Sequence, residues 1–238
     1  MIKIGVDTKD SEKEGYTKMV VLTRSRTGSN WLISLLNSHP DIQIKGEVFD
    51  WLRGRNSEEI LKDVFPESSE YDCLGFKIFY NHPLDDEDKS VWELLKKDRS
   101  IKVVHLLRKN MLRSFLSHEI AEKNEVWSSK MGDVSPEDKL VHLDVGKLYW
   151  DFQITEKYIY LSKQFFTFHN HLEVTYEELM DNQDNCIKRV LNFLGLPFGE
   201  STSDMKRQNP EPLEKLISNY SEVHEKLSST RYAHFLKE

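Results

Sequence analysis

The sequence predicts an α/β fold: a central parallel sheet covered by helices on both faces. Three observations carry this. Several short runs are apolar at nearly every position instead of alternating, as expected of strands buried on both sides. Helical patterns fall between those runs. Residues with turn and capping chemistry mark the junctions. The 238 residues suit one domain, 1–238, at roughly 100–200 residues per domain.

The elements follow in order. After a polar leader (1–17), Lys18–Arg24 (KMVVLTR) reads as the first strand. Thr27, Gly28, Ser29 and Asn30 form a turn of helix-capping residue types. Trp31, Leu32, Leu35 and Leu36 then recur on one helical face, and His39-Pro40 ends that helix. Ile42–Lys45 is a short strand and Leu74–Tyr80 a longer one. Val91–Lys97 is a short helix. Ile101–Leu107 (IKVVHLL) is the most strand-like run. Asn110 is placed to cap the next helix, whose apolar face is Met111, Leu112, Phe115, Leu116 and Ile120. The segment 123–144 carries Gly132 and Pro136 and is expected to be an irregular lid or acceptor loop. Val145–Phe165 is a long helix, and its aromatics Tyr149, Trp150, Phe152, Tyr158 and Tyr160 are read as packing residues. His171–Thr175 is a further strand. Ile187, Val190, Leu191 and Leu194 give a helix that Gly195 ends, with Pro197 just beyond. Met205–Pro212 is a loop, and short helices close the chain.

Composition narrows the function. Hydrophobic residues make up 38% and charged residues 31%, the balance of a soluble globular domain. There are 33 Lys+Arg against 40 Asp+Glu, a net charge of −7, which disfavours a surface for nucleic acid. No apolar run approaches the ~18–20 residues of a membrane span. Cys73 and Cys186 stand far apart, which excludes a disulfide framework and makes the cytoplasm the expected compartment.

In parallel sheets ligands bind beyond the carboxyl ends of the strands, so the residues there come first. The first strand ends in Arg24-Ser25-Arg26-Thr27-Gly28-Ser29-Asn30-Trp31. A Gly-containing, hydroxyl-rich loop entering a helix offers outward amides to phosphate or sulfate, and Arg26 adds a planar donor fork. The GxxxxGK[ST] pattern of a nucleotide-triphosphate loop is absent. Another strand ends in Arg108-Lys109, followed by Arg113 and Ser117 on one helical face. Each set alone also suits an ordinary solvated turn. Together they predict a ligand with anionic groups at both ends.

These residues carry a resemblance. The chain resembles the P-loop-like sulfotransferases that use 3′-phosphoadenosine 5′-phosphosulfate (PAPS). Arg26-Thr27-Gly28-Ser29-Asn30-Trp31-Leu32 is similar to that family's 5′-phosphosulfate loop, and Arg108-Lys109-Asn110 through Ser117 to its 3′-phosphate element. Tyr176-Glu177-Glu178-Leu179 and Phe193-Leu194-Gly195-Leu196-Pro197 match a later helix and its exit. Gln208-Asn209-Pro210, with Lys206 and Arg207, resembles the tail loop of bacterial carbohydrate-type members. Arg26 stands where many members carry Lys, and either Arg108 or Lys109 fits the 3′-phosphate position.

The resemblance implies a three-layer P-loop-NTPase-like fold. It implies donor binding by Arg24, Arg26, Thr27, Gly28, Ser29, Asn30, Arg108, Lys109, Ser117, Lys206 and Arg207, and no metal. The sulfuryl group would pass in line to a hydroxyl of a carbohydrate or glycolipid acceptor, with Arg26 stabilising charge and Glu47 or His118 as the base. An oligomer is compatible with this. The competing expectations are an ATP-dependent small-molecule kinase and a non-catalytic nucleotide-binding module. Phe49, Trp51 and Trp127 are weak candidates for stacking on a sugar. His169 and His171 form a pair of metal-ligand type for which the sequence offers no third partner, and a role at the strand entry is the simpler reading.

Overall fold

The computed structural model describes residues 15–87, 89–128, 131–132 and 134–237. Five strands form one parallel sheet: β1 (Thr17–Thr23), β2 (Ile42–Lys45), β3 (Cys73–Phe79), β4 (Lys102–Leu107) and β5 (His171–Thr175), in the order β2-β3-β1-β4-β5. The helices are α1 (Ser29–Leu36), α2 (Ser57–Val64), α3 (Ser90–Lys97), α4 (Met111–Asn124), α5 (Val145–Phe165), α6 (Tyr176–Asp181), α7 (Gln183–Leu194), α8 (Leu213–Leu216) and α9 (Tyr220–Ser228).

The continuous apolar run of β1 has a direct physical reason. Met19 and Val21 pack into one core with Leu32 and Leu36 of α1 and Val190 of α7. Val20 and Leu22 face the opposite core, with Phe76, Leu95 and Phe166. Both faces of the central strand are therefore dry, and helices cover each, giving the expected three layers. A third cluster joins α4 and α5 to the C-terminal helices through Leu112, Leu116, Phe152, Leu213 and Phe235.

Local signals mostly act as expected. The Asn110 side chain accepts from the Arg113 amide at 3.0 Å and caps α4. Gly195, at φ +86°, ends α7 and returns its N–H to Leu191. Three readings change. Thr17 is part of β1 and donates its amide to Asp72, so the polar leader is shorter than 1–17, and 1–14 lie outside the described residues. The segment 123–144 begins inside α4 and ends at Asp144, the cap of α5. The helix α2 is additional; its start is capped by Asn56, which accepts from the Glu58 amide.

Candidate active site

One cavity of about 940 Å³ opens beyond the carboxyl ends of β1, β3 and β4. It draws residues from the β1–α1 loop, the segment after β2, β3 and its exit, α4, α5 and the loop before α8. Six cations line it (Arg24, Arg26, Lys77, Arg108, Lys206 and Arg207) against three carboxylates (Glu47, Asp50 and Asp151). An acidic chain thus keeps a locally basic slot.

The β1–α1 loop is built by two left-handed residues. Gly28 caps α1 at φ +84° without side-chain help, so the capping types Thr27, Ser29 and Asn30 do not perform that task. A Cβ at Gly28 would meet the Tyr176 ring at 2.5 Å, so only glycine fits. Thr27 turns inward; its hydroxyl meets Thr23 Oγ1 at 2.7 Å and the Arg24 carbonyl at 3.0 Å.

Arg26 is held at φ +63°, a cost of about 1 kcal/mol or more for a residue with a Cβ. Its side chain explains why that conformation persists. The guanidinium donates to Ser117 Oγ at 3.0 Å, to the Trp127 carbonyl at 2.6 Å and to Gln208 Oε1 at 2.7 Å. Burial first, and Arg108 second, push its pKa down to about 10, so it stays charged at neutral pH. Arg108 donates to the Arg26 carbonyl at 2.9 Å and lies 4.5 Å over the Tyr176 ring. The two strand ends therefore meet as one cationic wall. Arg24 lines the cavity but is gripped bidentately by Asp151, at 2.7 and 3.0 Å.

The structure separates the two candidates at the end of β4. Arg108 lines the cavity, whereas Lys109 is exposed outside it and its amide donates to Glu177. Arg113 is buried and reaches the Glu211 carbonyl at 2.7 Å, so it supports the tail loop and is not part of the cavity lining. Ser117 lines the cavity beside Arg26, and Lys206 and Arg207 join from the tail loop.

Glu47 lines the same cavity. Its Oε1 is 2.7 Å from Nζ of Lys77, which also donates to Asn30 Oδ1 at 2.6 Å. This chain links the segment after β2, the middle of β3 and the first turn of α1. His82 Nε2 lies 3.8 Å from Glu47 Oε2, and burial holds that imidazole below its ordinary pKa. His118 lines the same cavity with its ring against Trp127, and burial lowers it too, so both histidines are neutral at pH 7. Sequence reasoning missed Lys77, His82 and Asp151. The one available signal was a lysine inside the otherwise apolar run Leu74–Tyr80; the other two arrive from distant segments.

The aromatics divide differently from expectation. Phe49 is core, with no exposure, and Phe152 and Tyr149 pack as expected. Trp150 is 66% exposed and lines the cavity, together with Trp51 at 50% and Trp127 at 42%. Tyr158 packs on Tyr80 while also lining the cavity, and Tyr160 is exposed, so the packing reading fails for Trp150 and Tyr160. His39 is buried and bonded to Pro197, a packing role. His169 bonds the Leu95 carbonyl, while His171 meets His105 and Glu173, partners that no spacing in the sequence signals.

A cationic wall at two strand ends, with a carboxylate–lysine pair in the same cavity and a parallel sheet of this order, fits an enzyme of P-loop-like fold that handles an anionic group. The sulfotransferase domain model matches residues 16–233, and the chain belongs to that family: it is a sulfotransferase. Nodulation protein H of Rhizobium tropici is 28% identical over 237 residues, covering 92% of each chain. Nodulation protein H of Rhizobium meliloti (strain 1021) is 24% identical over 231 residues, covering 91% of this chain and 94% of that one. A sulfotransferase from Alicyclobacillus acidocaldarius, known as a crystal structure, superposes with a TM-score of 0.58 at 15% identity, over 92% of this chain and 93% of its own. That likeness is one of fold. No helix among the described residues is long and apolar enough to cross a membrane.

Proposed function

We propose that this sulfotransferase takes its sulfuryl group from PAPS and gives it to a hydroxyl of a carbohydrate or glycolipid. The observation that carries this is the joined wall of Arg26 and Arg108, two strand ends tied by one hydrogen bond, in a cavity that Glu47 also lines. A donor with anionic groups at both ends matches two cations held that way.

The roles follow from the positions. The amides of Thr27–Asn30 and the Arg26 fork hold the phosphosulfate end and stabilise charge on the leaving oxygen. Arg108 and Ser117, with Arg207 and Lys206 from the tail loop, hold the 3′-phosphate end. Arg24 acts through Asp151 to fix the base of the loop. Glu47 accepts the proton of the acceptor hydroxyl, and Lys77 orients it while adding positive charge near the transfer line. His118 is the competing base. In-line sulfuryl transfer asks mostly for positioning and charge stabilisation, which is what these groups supply.

Exposed indoles support the acceptor class, because they cover the apolar faces of sugar rings and of lipid chains. The turn after α4 that carries Trp127 is read as part of the acceptor side, supported by its lining of the cavity and by the Arg26 contact to the Trp127 carbonyl. The free, buried thiols of Cys73 and Cys186 support a reducing cytoplasm.

The test is a thermal-shift titration with adenosine 3′,5′-bisphosphate beside ATP–Mg²⁺, followed by transfer from sulfur-labelled PAPS to a panel of glycans and glycolipids. Stabilisation by the bisphosphate and labelled glycan are expected. A response to ATP–Mg²⁺ alone would favour a kinase-type donor; bisphosphate binding with no transfer in any arm would leave a binding module.

A further inference from the structure

Away from the transfer cavity, β4 and β5 bring three ligand-type side chains together. His105 of β4 pairs in register with Glu173 of β5, and His171 lies two residues earlier on the same face of that strand. One nitrogen of each imidazole and one carboxylate oxygen lie within 4.8 Å of one another. The ring centroids are 5.4 Å apart, inclined at 68°.

The hydrogen bonding says which atoms are available. His105 is fully buried, and its Nε2 meets the Tyr80 hydroxyl at 2.7 Å. Its Nδ1 is buried with no partner, and so is Nε2 of His171. Two orphaned ring nitrogens in one cluster are unusual, because a buried nitrogen without a partner costs about 1–3 kcal/mol. Burial lowers the pKa of both imidazoles, to about 3 for His105, so both are neutral and bear lone pairs. Lys163 pairs with both oxygens of Glu173, at 2.8 and 3.0 Å. A carboxylate offers about four lone-pair sites, so acceptor capacity remains.

We propose that His105, His171 and Glu173 form a binding site for a divalent transition metal of the zinc class. Two imidazoles and a carboxylate select such ions over magnesium or calcium, which prefer oxygen alone. With a metal on Nδ1, the Nε2–H of His105 donates to the Tyr80 oxygen, the outer-shell bond that metal-bound histidines usually make. Burial pushes the Tyr80 phenol up, further above neutral pH, which keeps it a hydroxyl. His171 and Glu173 are only half-buried on an edge strand, which gives an ion access from solvent. Tyr80 itself lines the transfer cavity and stacks on Tyr158 at 5.5 Å. The site therefore pins the β4–β5 edge and fixes one wall of the cavity, without touching the proposed transfer line.

The experiment reads metal directly. The full chain, stripped with chelator, is titrated with Zn²⁺ by calorimetry, with Mg²⁺ in parallel. One Zn²⁺ per chain, bound at about micromolar Kd or tighter, and no Mg²⁺ binding are expected. His171→Gln and Glu173→Gln should each weaken Zn²⁺ binding at least tenfold while keeping the wild-type circular dichroism. Replacing the exposed His142 with Gln should change nothing. Co²⁺ on the wild-type chain should give visible d–d absorption, which keeps the idea testable even where a variant fails to fold. No stoichiometric Zn²⁺, full affinity in a folded His171→Gln chain, or loss in His142→Gln would overturn the assignment.

Discussion

The two sides of the cavity are built on opposite plans. On the loop side almost every charged group is already spoken for: Arg24 by Asp151, Arg26 by three oxygens on three segments, Arg108 by the Arg26 carbonyl and the Tyr176 ring. On the rim side Trp51, Trp127 and Trp150 present open rings to solvent. A wall fixed by charge-assisted hydrogen bonds is pre-organised for one ligand of one charge pattern. A rim of exposed rings, with freedom to adjust, suits ligands that share apolar faces and differ in detail. On the proposed function, the contrast would put donor fidelity in the loop and acceptor choice in the rim.

The largest break in that contrast is Arg26→Ala. It removes a full charge from the wall and unties three segments, so kcat/KM should fall by about 10²–10³. Arg26→Lys keeps the charge but loses the planar fork, and steady-state kinetics should place it between the two. Glu47→Gln should lower kcat by about 10², with bisphosphate affinity by calorimetry unchanged; unchanged kcat would transfer the base role to His118. Gly28→Ala strains a left-handed residue against a ring 2.5 Å away and should cost about 1–3 kcal/mol of stability in denaturant unfolding. Trp150→Ala acts on the rim alone. The acceptor KM should rise roughly 2–10-fold with the donor KM unmoved.

The smallest expected effect is in pH. Burial holds His82 and His118 below the ordinary histidine value. As pH falls through about 6.5, the unfolded chain takes up those protons before the folded one, so stability present above that pH declines below it. His82→Gln should flatten part of the decline in melts between pH 7 and 5; a stability that rises on acidification would contradict the sign.

The same contrast explains what the sequence made legible. The loop wall lies in continuous stretches: Arg24–Trp31 after one apolar run, Arg108–Ser117 after another, with Asn110 and Gly195 marking helix ends by local backbone chemistry. The rim and the supporting groups are not local. Asp151 meets Arg24 across 127 positions, and His105 meets Glu173 only because β4 and β5 are neighbours. Trp150 was hidden for a different reason. In a long helix rich in aromatics, spacing alone does not separate the face turned to the cavity from the face turned to the core. Lys77 was legible in principle, as a charge that a doubly covered strand has no cause to bury unless something opposite needs it.

The cavity lining runs from Arg24 to Asn209, and residues just beyond each of the five strands contribute to it. A site assembled from so much of the chain has no subunit of its own within the fold. Its integrity is a global property: partial opening of either terminal half separates Arg26 from Gln208, or Arg24 from Asp151, before the sheet itself melts. Catalysis is thus a more sensitive gauge of the native ensemble than helical content. Under mild denaturant, sulfuryl transfer should fade while the circular dichroism is still intact.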